Sequence, residues 1–281
     1  MKTNRLHLFF NTFMILSIVL LTSYIIPNLQ GNSTSTLAAQ NDRIPVNNFT
    51  ETQNNYKNWK HTDTVKIPIL MYHSITNKNQ HQISISQFQN EMSYLKKNGY
   101  RTLTSSQVLY ALRTHRIPQK KIVWITLDDG YKNSMTTAQP ILRTNHQHAT
   151  VNFVTVFSQK GPFLNLQDAR LMKASNVIDF ESHTVTHQNL TTLTYKQQLH
   201  ELAESKNWLD SHLNQQTLVI VYPDGVCNRS TIKAAKMTGY QYGLSTTPGI
   251  ATSNENNYQL PRQRVIPNMS NAAFVALLQS D

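Results

Sequence analysis

Two kinds of apolar run alternate along most of this chain, and the alternation predicts its architecture. Short β-type runs at residues 67–72, 121–126, 149–156, 177–180, 218–221 and 240–245 read as strands. Between them lie segments with helical spacing. Phe88, Met92 and Leu95 share one face of a helix that Ser86 can cap and Gly99 stops. Further helices are predicted through Ile141 and Leu142, over 166–175, and over 230–237 ahead of Gly239. Thr194 opens the longest helix, in which Leu199, Leu202, Leu209 and Leu213 recur at spacings of three, seven and four to build one apolar face. Ser270 caps a final helix. Repeated strand–helix units imply a parallel sheet, and their number suits an α/β barrel of seven or eight units better than a small open sheet.

Ahead of that domain the pattern changes twice. Lys2 and Arg5 precede an apolar run from Leu8 to Ile26, long enough to cross a bilayer, so residues 1–27 read as a signal anchor or a signal peptide. The small pair Ala38–Ala39 lies well beyond the run, and the length of the run favours an uncleaved anchor. No Lys or Arg follows Arg5 until Arg43, which places the N-terminus in the cytoplasm and the rest at the extracellular face of the membrane. Cleavage would instead give a secreted or cell-surface protein. Residues 28–64, rich in Asn, Gln, Ser and Thr without apolar period, read as a flexible polar linker. The catalytic domain is expected over 65–281.

Composition narrows the function classes. Lys and Arg outnumber Asp and Glu by 26 to 15, a net charge of +11, which suits work against an anionic envelope surface. The basic residues are scattered, with no dense block or aromatic-interleaved patch, so no nucleic-acid partner is expected. No obligate protein partner is inferred either. The single cysteine, Cys227, excludes an intrachain disulfide and lacks a base at useful spacing for a nucleophile.

The chemistry-bearing residues fall just past predicted strand ends: His73, Asp128 with Asp129, His183, and Tyr222 with Pro223. In barrels of this class that rim is where active sites form. Thr126-Leu127-Asp128-Asp129-Gly130 places two carboxylates at a strand mouth, followed by a glycine that permits a tight turn. Adjacent acids are costly unless something positive binds them. His183-Thr184-Val185-Thr186-His187 sets two imidazoles four apart, on one face if the segment turns helically, so that both reach one ion. Two histidines and one carboxylate leave coordination positions open, as a catalytic metal site requires. Asp129, His183 and His187 are thus the expected ligands, and Asp128 is free to act as general base on the attacking water. Zinc is the expected ion; cobalt, nickel and iron(II) accept the same donors.

Thr-Leu-Asp-Asp-Gly, His-Thr-Val-Thr-His and Val-Tyr-Pro-Asp-Gly, in that order, resemble the successive motifs of the polysaccharide deacetylase family, the NodB-homology or carbohydrate esterase family 4 group. The resemblance runs from about Ile67 to the C-terminus. Leu70-Met71-Tyr72-His73, Val123-Trp124-Ile125 and Leu260-Pro261-Arg262 look most like the extracellular poly-β-1,6-N-acetylglucosamine deacetylases of biofilm-forming bacteria. The resemblance implies a distorted (β/α)7 barrel, a divalent metal, and hydrolysis of N-acetyl groups on N-acetylglucosamine residues of a polysaccharide. It also implies that the first Asp is the base and the second a ligand, in agreement with the local reading. Peptidoglycan or a chitin oligosaccharide is the alternative substrate. A membrane-tethered carbohydrate-binding pseudoenzyme is the alternative from another class, and the presence of both acids and both histidines argues against it.

Further roles rest on the resemblance. Leu277-Leu278-Gln279 stands where many members carry a Leu-His acid, and in the poly-N-acetylglucosamine subgroup that histidine comes from the Tyr-His motif, here His73. The Tyr222-Pro223-Asp224-Gly225 loop would present the Tyr222 backbone N–H to the oxyanion. Val221 stands where many members have an Arg, so Arg262 is the candidate to orient and balance Asp128. Asp224 replaces a common aromatic residue and is a candidate to bind the cation of a partly deacetylated chain. Tyr131 is the rim aromatic expected to stack on sugar, whereas Trp124 and Trp208 are expected in the core.

Overall fold

A computed structural model describes residues 56–279. The predicted membrane segment at 1–27 and most of the linker lie outside the described residues. Among these, no helix is long and apolar enough to cross a membrane. The folded part starts ahead of the boundary predicted at 65, because aromatic burial recruits the end of the linker. Tyr56 and Trp59 are buried against each other and against Tyr110, with ring centroids 4.2 to 5.6 Å apart. Just after them, β1 (Lys60–His61) pairs antiparallel with β5 (Arg116–Ile117).

The centre is a parallel sheet. Its strands are β3 (Ile69–Tyr72), β6 (Ile122–Asp129), β7 (Ala149–Phe153), β8 (Ile178–Ser182), β9 (Val219–Val221), β10 (Tyr242–Leu244) and β12 (Gln263–Arg264). They lie in the order β10-β9-β8-β7-β6-β3-β12, with short β4 (Arg101–Thr102) alongside the start of β6. A parallel bridge from Leu244 to Leu260 draws the two edges together. The sheet is a curled half-barrel whose path runs through seven strands, with β4 an eighth strand off that path. The outer pair β2 (Lys66–Ile67) and β11 (Ala251–Thr252) was not foreseen from sequence.

β6 reads as a continuous apolar run because both of its faces are covered. Val123, Ile125 and Leu127 pack under the helices, and Ile122 and Trp124 pack with Ile67, Ile69, Val219 and Val221 on the inner face. The helices are α1 (Ile85–Lys97), α2 (Ser105–Thr114), α3 (Gln139–Asn145), α4 (Leu166–Ala174), α5 (Tyr195–Leu213), α6 (Arg229–Met237) and α7 (Asn271–Leu277). Ser84, not Ser86, caps α1, its hydroxyl accepting from the Gln87 N–H. Thr194 and Ser270 cap α5 and α7 as predicted.

On the inner face below the rim, the buried Thr150 and Glu181 and the half-buried Asp179 have hydrogen-bond partners. Trp124 Nε1 donates to Thr150 Oγ1 (2.7 Å), which donates to Asp179 Oδ1 (2.7 Å). The Ser105 N–H donates to the other Asp179 oxygen (2.7 Å). Glu181 Oε2 accepts from the N–H groups of Leu218 (3.1 Å) and Val219 (2.9 Å). Burial nonetheless pushes the Glu181 carboxyl up to about 8.

Candidate active site

Strand register gathers the site. Tyr72 pairs with Leu127, Asp128 with Asn152, and Phe153 with Ser182, so His73, Asp128 and His183 emerge side by side at the C-terminal rim. At the end of β6 the backbone turns sharply through left-handed conformations at Asp129 (φ 73°) and Gly130 (φ 77°). A side chain at Gly130 would come within 2.7 Å of the Phe153 ring, so glycine is required there.

Asp128 is buried and tied down. Its Oδ1 accepts from Asn152 Nδ2 (2.7 Å) and from Arg262 Nη1 (2.9 Å). Arg262 is itself only 1% exposed, and its Nε donates to the Ser245 carbonyl (2.9 Å). Burial alone would raise the Asp128 pKa, but Arg262, with His73 and His183 behind it, holds the carboxyl well below the usual carboxylate range. His73 Nε2 lies 4.0 Å from Asp128 Oδ2, on a side chain 43% exposed.

Asp129 is in the opposite condition. Its Oδ1 is buried and takes no hydrogen bond, and it faces the Nε2 atoms of His183 (3.5 Å) and His187 (3.4 Å). Burial, and then the charge of Asp128, push its carboxyl up to about 6, while the Tyr131 hydroxyl hydrogen-bonds to it. His183 Nδ1 lies 2.7 Å from the Val221 carbonyl. A carbonyl only accepts, so that nitrogen carries the proton and Nε2 presents its lone pair to Asp129. Burial pushes His183 down to about 4, which keeps the ring neutral. Ligand atoms of Asp129, His183 and His187 all lie within 4.8 Å of one another. An orphaned carboxylate oxygen facing two imidazole nitrogens fits a divalent cation.

The histidine pair is brought together by a loop, not by the helical turn its spacing suggested. Thr184 (φ 71°) and His187 (φ 62°) are left-handed. Glu201, from α5, holds the loop by accepting from the Val185 and Thr186 N–H groups (2.9 Å each) and from Thr186 Oγ1 (2.7 Å). The His187 N–H donates to Thr184 Oγ1 (3.0 Å). These bonds replace the backbone bonds that a helix would have made.

The predicted oxyanion donor is not available. The Tyr222 N–H donates to the Leu244 carbonyl (3.1 Å), and its ring packs among Leu190, Leu202 and Ile220. Pro223 has no N–H, and the Gly225 and Val226 N–H groups bond to the Tyr222 and Pro223 carbonyls. Among the described hydrogen bonds the Asp224 N–H takes no acceptor, in a residue held at φ 58°. Gly225 allows this turn: a Cβ there would meet Thr246 at 2.1 Å. The exposed Asp224 carboxylate accepts from Asn189 Nδ2 (3.3 Å).

His73, Asp128, Asp129, His183, His187, Tyr222, Asp224 and Arg262 line one cavity of about 280 Å³, whereas the buried Pro223 is not part of its lining. Tyr131 lies outside it, its ring 4.9 Å from Phe163. Trp124 and Trp208 are packed as expected, Trp208 stacking 5.5 Å from Phe153. Tyr72 points away from the rim, its hydroxyl donating to Glu91 (2.7 Å). Two supporting residues escaped sequence reasoning. Asn152 is a lone amide in an apolar strand, and Glu201 is an acid on the apolar face of α5; each was visible only as a polar residue out of pattern.

A family model described as polysaccharide deacetylase matches residues 115–243. The chain is 40% identical over 215 residues to "Putative polysaccharide deacetylase YxkH" of Bacillus subtilis (strain 168), covering 76% of this chain and 77% of that one. It is 27% identical over 195 residues to the poly-β-1,6-N-acetyl-D-glucosamine N-deacetylase of Staphylococcus aureus (strain MRSA252), covering 65% and 67%. Among solved structures, the deacetylase PplD of Streptococcus pyogenes in complex with acetate superposes with a TM-score of 0.72 at 34% identity, covering 76% of this chain and 98% of that one.

Proposed function

The chain belongs to the polysaccharide deacetylase family, and from that premise we propose that it removes N-acetyl groups from N-acetylglucosamine residues of an extracellular polysaccharide, poly-β-1,6-N-acetylglucosamine foremost. The observation that carries this is the division of labour between two adjacent carboxylates. Arg262 and Asn152 hold Asp128 ionised, and Asp129 is left facing the Nε2 atoms of His183 and His187. The β-1,6 linkage is supported by the similarity to the staphylococcal enzyme.

In this reading Asp129, His183 and His187 hold a divalent ion, zinc first. When bound, it supplies Lewis acidity to the acetyl carbonyl and to the attacking water. Asp128, whose two oxygens both lie 2.9 Å from Arg262 Nη1, accepts the water's proton, its Oδ2 facing His73 at 4.0 Å. Because Arg262 keeps it ionised, Asp128 is in the receiving form across the working pH range. His73, exposed at the pocket wall, delivers a proton from its imidazole to the departing amine. The Asp224 N–H, the loop donor without an acceptor, takes over the oxyanion role first expected of Tyr222. Acetate and an amine leave. Residues 1–27 anchor the chain in the membrane with the domain on the extracellular face, a placement supported by the Lys2/Arg5 flank and the apolar run.

The test is acetate release by the full chain from β-1,6-linked and β-1,4-linked N-acetylglucosamine polymers and from peptidoglycan, with and without chelator and with Asp128→Asn. Release from the β-1,6 polymer that is abolished by both treatments is expected. Release surviving both would overturn the mechanism, and release confined to another polymer would overturn the substrate.

A further inference from the structure

The catalytic rim uses only the C-terminal end of the sheet. At the opposite end lies a separate cavity of about 220 Å³, walled by the C-terminal ends of α1 and α3, by β4, and by the segment that leads into β7. Arg101 pairs with Ile122 and Thr102 with Val123 at the start of β6, and His148 immediately precedes β7. Asp128 stands near the other end of β6, about 20 Å away at about 3.3 Å per residue. An occupant of this cavity therefore leaves the catalytic one free.

Lys96, Arg101, His146 and His148 line the cavity, and no acidic residue does. Asp179 is outside it, already bonded to the Ser105 N–H and to Thr150. Lys96 Nζ donates to the Thr144 carbonyl (3.2 Å), answering the negative end of α3. The exposed Arg101 guanidinium is held 6.0 Å from the Trp59 ring centroid. Neither it nor the rings of His146 and His148 have a hydrogen-bond partner among the described residues. Two buried side chains are also left incomplete. Thr102, 5% exposed, accepts from the His148 N–H (2.8 Å), and its own proton has no acceptor among the described hydrogen bonds. Gln147, 3% exposed, donates from Nε2 to the Met92 carbonyl (2.9 Å), and its Oε1 takes no hydrogen bond.

We propose that this cavity binds a phosphate carried on a polyol, the repeating unit of a phosphodiester-linked envelope polymer, and so docks the domain on an anionic surface. A guanidinium, two imidazoles and a hydroxyl supply donors from β4 and from the segment before β7. A phosphate offers oxygens on several sides to donors so spread, whereas a carboxylate offers two in one plane. The orphaned Gln147 oxygen calls for a donor beside the anion, which a polyol hydroxyl provides. The net charge of +11 draws the chain to an anionic surface, and the cavity adds a specific contact. The inference goes beyond the deacetylase reading and does not depend on it.

Calorimetric titration of the full chain with inorganic phosphate, glycerol 3-phosphate and a poly(glycerol phosphate) chain tests this. The variants are Arg101→Glu, Gln147→Met and, as an equal charge change at an exposed position of α5, Lys196→Glu. The wild type is expected to bind glycerol 3-phosphate and the polymer, and Arg101→Glu to bind both about tenfold more weakly. Lys196→Glu is expected to stay within about twofold of the wild type. Gln147→Met is expected to weaken glycerol 3-phosphate but not inorganic phosphate. Equal losses in Arg101→Glu and Lys196→Glu would reduce the binding to overall charge and overturn the site. No binding of glycerol 3-phosphate by the wild type, or binding of it without the polymer, would overturn the docking role. Unchanged glycerol 3-phosphate binding in Gln147→Met would overturn the polyol contact. Acetate release, expected unchanged in Arg101→Glu and Gln147→Met, shows that both fold; its absence from the wild type would count against the deacetylase reading alone.

Discussion

Two pairs of carboxylates face the inner side of one sheet, and they differ in what satisfies them. Asp179 and Glu181, in the middle of β8, accept from N–H groups and a hydroxyl that the fold brings to them. Asp128 and Asp129, at the mouth of β6, have a guanidinium on one and an unpaired oxygen facing two imidazoles on the other. Buried acid alone therefore does not mark function here. What sets the rim pair apart is an acceptor left without a donor, beside two imidazole nitrogens and an open cavity.

The largest expected effect breaks the rim pair. Asp128→Asn should lower kcat for acetate release by about a hundredfold to ten-thousandfold while the ion stays bound. Next, Arg262→Met should destabilise the domain by about 3 kcal/mol, because it leaves Asp128 buried without its partner. Combining Arg262→Met with Asp128→Asn should recover most of that loss in denaturant unfolding.

The inner pair predicts a pH signature of the opposite sign to Asp128. The Glu181 carboxyl is raised in the folded state, so its contribution is fully present below the ordinary carboxylate range and is lost as pH rises through about 8. Asp128 is depressed, so its contribution is present above that range and is lost as pH falls below it. Denaturant melts at pH 5 and pH 9 should show the alkaline loss in the wild type and a flatter profile in Glu181→Gln. A wild type equally stable at both would contradict the assignment. The smallest effect is expected from Asn152→Ala, which removes one bond to Asp128 and should lower kcat by about tenfold, since a hydrogen bond to a charged group contributes about 1.5 to 3 kcal/mol.

Much of this was legible in the chain because motif chemistry is local. Asp128-Asp129-Gly130 and the His183/His187 pair announce themselves by residue type, and apolar runs such as 121–126 mark strands that are buried on both faces. Non-local facts were harder. Arg262 could be named as a partner for Asp128 only as a substitute for the residue missing at Val221. What brings it there is β12 pairing with β3 at the sheet edge. Asn152 acquires meaning only from the register that sets it opposite Asp128. The Tyr222 N–H was misassigned because sequence does not reveal that Leu244 claims it. Helix α2 was overlooked although Thr104 and Gln107 form a capping box, a signal that sequence did contain.

The central claim is that the two adjacent acids have different jobs, and it is tested most directly by metal content measured together with acetate release in Asp128→Asn and Asp129→Asn. The account predicts that Asp128→Asn retains one divalent ion per chain and releases almost no acetate, and that Asp129→Asn loses the ion. An Asp129→Asn chain that keeps its ion, or an Asp128→Asn chain that loses it, would contradict the account.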